Sequence, residues 1–86
     1  MSYEIILNEL ILNISHPLKS GKELEIALKA KLTKKELKLL KALSYNLSEN
    51  EIKTTLNFDN EQYQRVYNKL VKKLNQEKIK QAIYNI

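Results

Sequence analysis

The sequence predicts an all-α fold, a small helical bundle of about five to six helices that contains a helix-turn-helix. Three observations predict it. Helix-start signals recur along the chain, apolar residues recur at helical spacing, and the 86 residues include one Gly and one Pro. So few breakers leave no glycine-rich phosphate loop and argue against a turn-dense β fold.

The first element is read from Tyr3, Ile6, Leu7, Leu10, Ile11 and Ile14, which fall at i, i+3, i+4, i+7, i+8 and i+11. A β-hairpin turning at Asn8-Glu9 is the alternative, but Asn-Glu is a poor hairpin turn. Pro17 and Gly21 end this segment. A second helix is predicted over 21–31, with Leu24, Ala27 and Leu28 inward. Ser20 with Glu23 supplies the two polar members of a capping box at its start.

Complete start signals follow at three places. Thr33 with Glu36 forms a capping box, and Leu32 with Leu37 a hydrophobic staple. Ser48 with Glu51 is joined by Leu47 with Ile52, and Asp59 with Gln62 by Phe58 with Tyr63. Each capping side chain satisfies an orphan backbone N–H and contributes about 1 kcal/mol. Helices are therefore predicted near 33–45, 48–56 and 60–74, and a last one over 76–85, where Asn75 keeps only the staple of Leu74 with Ile79. Asn46 and Asn57 fall just past two helix ends, where a left-handed residue makes a sharp stop. Inward faces follow from spacing: Leu37, Leu40 and Leu43 with Leu39 alongside; Ile52 and Leu56; then Tyr63, Val66, Tyr67, Leu70 and Leu74. Only Asn57, Phe58 and Asp59 separate the helices at 48–56 and 60–74, the short turn of a helix-turn-helix.

Charge narrows the function. Lys plus Arg number 15 against 10 acids, a net charge of +5. Residues 1–30 hold three basic and four acidic residues, whereas residues 31–86 hold twelve and six. A basic face attracts polyphosphate and releases its counterions. Coding bias toward Lys, Ile and Asn is the plainer source of this excess, so position must decide. Cysteine is absent and His16 is the one histidine, which leaves thiolate and multi-histidine metal sites without ligands. Glu23 and Glu25 lie two apart and do not share a helix face. The sequence therefore predicts no enzyme and no cofactor. The longest apolar run is three residues, so no membrane span is expected and a cytoplasmic setting fits.

Residues 32–86 resemble the LuxR-type (GerE-like) DNA-binding domain without a gap. Leu32, Thr33, Lys34, Lys35, Glu36, Leu39 and Leu40 stand for its Leu-Thr-x-(Arg/Lys)-Glu opening and apolar pair. Leu47, Ser48, Glu51, Ile52 and Leu56 stand for its Leu-Ser-x-x-Glu-Ile and following Leu, and Lys73-Leu74 for the end of its recognition helix. Ala82-Ile83 stands where the family has Ala-Val. Asn46 replaces a Gly, Gln62 and Tyr63 replace Thr and Val, Gln64 replaces a groove-reading Lys, and Val66 replaces a frequent His. Sigma factor region 4 shares the layout as a close neighbour. Residues 1–31 read as an N-terminal helical extension, a candidate for dimerisation.

The resemblance implies a transcriptional regulator that binds double-stranded DNA through the helix at 60–74. Gln62, Gln64, Arg65, Asn68, Lys69 and Lys72 fall on its outward edge. Gln64, Arg65 and Asn68 can reach base edges, since Gln and Asn pair with adenine and Arg with guanine. Lys69, Lys72, Lys53, Thr54, Lys34 and Lys35 are assigned to phosphate, together with the helix starts at 48 and 60. Tyr63, Tyr67 and Tyr84 are read as core or interface. A homodimer is expected, through Ile79, Ile83 and Ile86 as the family places it, or through Ile5 and Leu12 of the first helix. The alternative is a protein-interaction module on a helix-turn-helix scaffold, binding RNA polymerase, a sigma factor or another regulator. Glu61, at the groove mouth, and the replaced Lys and His favour it.

Overall fold

A computed structural model describes residues 3–85. Six helices occur among them: α1 (Tyr3–Leu10), α2 (Gly21–Lys31), α3 (Lys34–Ser44), α4 (Glu49–Leu56), α5 (Asn60–Leu74) and α6 (Glu77–Ile83). The fold is all-α. α3 is central and packs on α1, α2, α4 and α5, while α6 closes on α2 and α5. One apolar cluster runs from Tyr3 in α1 to Ile83 in α6, so residues 3–31 share a core with the helices that follow. No helix here is stable alone at these lengths, and the shared core is what holds them. The radius of gyration, 12.5 Å, is close to the about 12 Å of a folded chain this long.

The caps form much as local chemistry dictates. Thr33 and Ser48 each make a full reciprocal capping box, with Glu36 and Glu51. Asp59 accepts from the Gln62 N–H at 2.7 Å. Asn46 and Asn57 take left-handed φ of 61° and 57°, as does Asn13 at 57°. The Ser20 hydroxyl makes no cap bond. Gly21 opens α2 at φ 55°, and a cap needs helical geometry at that first position.

Three expectations are corrected. α1 stops at Leu10 rather than reaching Ile14. The Leu12 N–H, which a longer helix would use internally, donates instead to Asn75 Oδ1 at 2.7 Å. Asn75 does not open the last helix: its Nδ2 donates to the Leu10 carbonyl at 3.0 Å and the Val71 carbonyl at 2.8 Å, tying α1 to the end of α5. α6 ends at Ile83 because Tyr84 is extended and bridges to Leu18. The Lys19 N–H donates to the Ile83 carbonyl at 2.8 Å and the Asn85 N–H to the Pro17 carbonyl at 2.7 Å. His16 sits edge-on to the Tyr84 ring, centroids 5.1 Å apart.

Two members of the expected C-terminal dimer stripe are also corrected. Ile79 is 6% exposed and Ile83 0%; both face the chain's own core, with Tyr84 buried beside them. The expectation for Ile86 lies outside the described residues. Ile5 and Leu12 remain exposed, at 66% and 67%. Among the described residues, no helix is long and apolar enough to cross a membrane.

Candidate nucleic-acid interface

The turn between α4 and α5 assigns one task to each of its residues. Asn57 supplies the left-handed stop, and the Phe58 N–H donates back to the Lys53 carbonyl at 2.9 Å. The Phe58 ring is buried and anchors the turn to the core. Asp59 then caps α5.

α5 buries Tyr63, Val66, Leu70 and Leu74 on one stripe, with Tyr67 half-buried. The Tyr63 and Tyr67 rings lie nearly parallel, 17° apart with centroids at 6.0 Å, so they pack on each other at the core edge. Burial and the nearby Glu49 carboxylate raise the Tyr63 hydroxyl above its ordinary value. With that stripe inward, Gln64, Arg65, Asn68, Lys69 and Lys72 are all exposed. Arg65 and Lys72 are seven residues apart, about 10 Å along the axis.

The rotation of α5 is fixed from α3. Lys73 Nζ donates to Glu36 Oε1 at 2.8 Å, and that oxygen also accepts from the Thr33 N–H at 2.9 Å. Glu36 is 3% exposed. Burial alone would raise its carboxyl, but the hydrogen bonds from Lys73 and Thr33 outweigh it and hold the group below the ordinary carboxylate value. The sequence pattern treats Glu36 as a capping residue only; it also joins the two helices that flank the site.

Between the start of α3 and the outward side of α5 lies a cleft of about 210 Å³. Lys35, Gln62, Arg65 and Lys69 line it, with Thr33, Val66 and Glu36, whose carboxylate is already paired with Lys73. Four of the residues assigned from sequence are thus brought together, three of them cationic. Among the described residues, none of those three cations has an ion-pair partner. Their convergence has no local sequence signal, because Lys35 lies thirty residues before Arg65.

The other assigned residues are placed differently. Lys34 and Thr54 are exposed and stand outside the cleft. Lys53 is half-buried and engaged: its Nζ lies 3.2 Å from Glu49 Oε2 and donates to Asn60 Oδ1. A phosphate contact there must displace a carboxylate. The helix starts at 48 and 60 carry exposed Glu49, Glu51, Asp59 and Glu61, whose charge opposes phosphate. Comparison with family models, with curated proteins and with solved structures finds no match.

Proposed function

We propose that the chain binds duplex DNA as a sequence-specific transcriptional regulator, with α5 as the element that enters the major groove. The observation that carries this reading is the exposed edge Gln64, Arg65, Asn68, Lys69 and Lys72 on the longest helix, directly after a three-residue turn. Lys35 facing Arg65 and Lys69 across the cleft supports it, because such a cluster suits a phosphate flanking the groove. The resemblance of residues 32–86 to the LuxR-type domain supports the same assignment. In this reading Gln64, Arg65 and Asn68 meet base edges, while Lys69, Lys72, Lys34 and Lys35 position the backbone. Two copies on a two-fold site give enough contact for specificity. With Ile79 and Ile83 taken by the core, exposed Ile5 and Leu12 serve that pairing in this reading; Ile26 is a further exposed apolar side chain.

Selection of bound sites from random duplexes tests the assignment, and the recovered site then serves in a salt series. Binding should weaken steeply between about 50 and 200 mM salt. Arg65→Ala should lower discrimination at one base pair by about 1–3 kcal/mol, whereas Lys72→Ala should weaken all duplexes alike and shallow the salt slope by about one. If neither substitution alters duplex binding, α5 is not the reading element.

A second reading, a protein-interaction module binding RNA polymerase or another regulator, is favoured by the occupied Lys53 and by exposed Glu61 at the start of α5. Capture of polymerase subunits together with salt-insensitive, negligible duplex binding would select it.

A further inference from the structure

A second depression lies between α3 and the end of α4, about 470 Å³ in volume. Its lining comes from α3, from α4 and from the turns that follow each of them. Ala42, Leu47, Leu56 and Phe58 form an apolar floor, and Tyr45 stands at one side. Tyr45 is 55% exposed, unusual for a large ring next to a core. Lys35, Lys38 and Lys41 of α3 line the same side of the groove as Tyr45, which follows them at the end of that helix.

The rim is electrostatically one-sided. α3 contains one acid, Glu36, which is buried and held by Lys73. The outer face of α3 is left with Lys34, Lys35, Lys38 and Lys41, all exposed. Among the described residues none of them has an ion-pair partner. Lys35, Lys38 and Lys41 are spaced i, i+3, i+6, which spans about 9 Å along the helix. Carboxylates at i, i+3 or i+4, and i+7 on a second helix span about 10 Å, so the two rows match in length.

We propose that this groove docks an acidic amphipathic helix from a partner protein. Its apolar anchors rest on Ala42, Leu56 and Phe58 against Tyr45, and its carboxylates face Lys35, Lys38 and Lys41. This is helix-in-groove recognition, in which apolar burial supplies affinity and the charged rim sets register and excludes basic partners. Duplex DNA is a poor occupant, because an apolar floor offers phosphates nothing and protein–DNA interfaces are polar. An anionic membrane is also a poor occupant. Membrane docking inserts an apolar face that projects outward, whereas these apolar groups lie at the bottom of a depression.

The test uses the full chain labelled with nitrogen-15 and a synthetic amphipathic helical peptide. The peptide carries Leu and Phe at i, i+3, i+4 and i+7, flanked by Glu; a control peptide carries Lys for each Glu. The acidic peptide should shift the amide signals of Ala42, Tyr45, Leu56 and Phe58, and the Lys peptide should not. The double variant Lys38→Glu, Lys41→Glu should bind the acidic peptide about tenfold more weakly. Its thermal midpoint should hold, since both side chains are exposed and unpaired. Tyr45→Ser, which removes one wall without touching a charge, should also weaken the complex. The proposal is overturned if both peptides bind alike, if the double charge reversal leaves affinity unchanged, or if the shifts map to α5. It is equally overturned if phosphatidylglycerol vesicles or a random-sequence duplex perturb the groove signals and the acidic peptide does not.

Discussion

At the residue scale, three polar side chains carry structure that their neighbours in sequence do not explain. Glu36 ties α3 to α5 and caps α3 at once. Despite burial, its carboxyl is held below its ordinary unfolded value by the bonds from Lys73 and Thr33. The stability it adds is therefore complete above that value and is lost as pH falls through the folded pKa. Glu51, held below its ordinary value by the Ser48 backbone and side chain, acts in the same direction. Denaturant unfolding between pH 7 and pH 3 should show a decline that begins below about pH 5. Glu36→Gln should be about 1 kcal/mol less stable at pH 7 and should show a shallower acid decline. Asn75 joins Leu10, Leu12 and Val71. Asn75→Ala strands part of these groups and should cost about 2 kcal/mol in urea unfolding, more than a surface Asn elsewhere. Lys80 is buried, and its Nζ donates to the Leu12 carbonyl at 2.8 Å, at the same junction. Among the described residues no buried side-chain polar atom lacks a partner, so these groups are costly only once disturbed.

At the scale of elements, caps set boundaries where the first helical residue is regular. Thr33 and Ser48 form both bonds of the box, whereas Ser20 forms none. Ser48→Ala should destabilise by about 1 kcal/mol and Ser20→Ala by much less, a contrast that thermal unfolding of the two variants resolves. α5 shows how far periodicity reaches. Its stripe Tyr63, Val66, Leu70 and Leu74 is buried as spaced, and the polar edge follows by elimination. α3 is a partial miss. Leu39 and Leu40 are fully buried, but Leu37 and Leu43 are only partly so. The inward face is rotated toward Glu36, Leu39 and Ala42, because α3 must serve four neighbours rather than one.

At the scale of the whole molecule, charge and burial divide the surface. The α5 edge and the α3 rim are basic, and the helix starts between them are acidic. The burial of Ile79 and Ile83 removes these two side chains from any pairing surface. Pairing through Ile5 of α1 and Leu12 in the segment that follows it predicts that Ile5→Ser with Leu12→Ser shifts the sedimentation coefficient toward monomer while thermal stability is retained, since both side chains are already exposed. A monomeric parent chain at high concentration would leave two-fold recognition without a surface.

The amino-acid sequence by itself determined the helical class, the caps at Thr33, Ser48 and Asp59, the left-handed Asn46 and Asn57, and the buried stripe of α5. Each follows from interactions among residues within four positions of one another, or from a spacing that repeats along one helix. Only the tertiary structure decided where α1 ends, which way Ile79 and Ile83 face, and that Lys35 lines one cleft with Arg65 and Lys69. The deciding contacts join residues far apart in the chain: Glu36 with Lys73 across 37 positions, Leu12 with Asn75 across 63 and with Lys80 across 68. A buried polar group must find its partner wherever the packed chain offers one, and no local pattern records that choice.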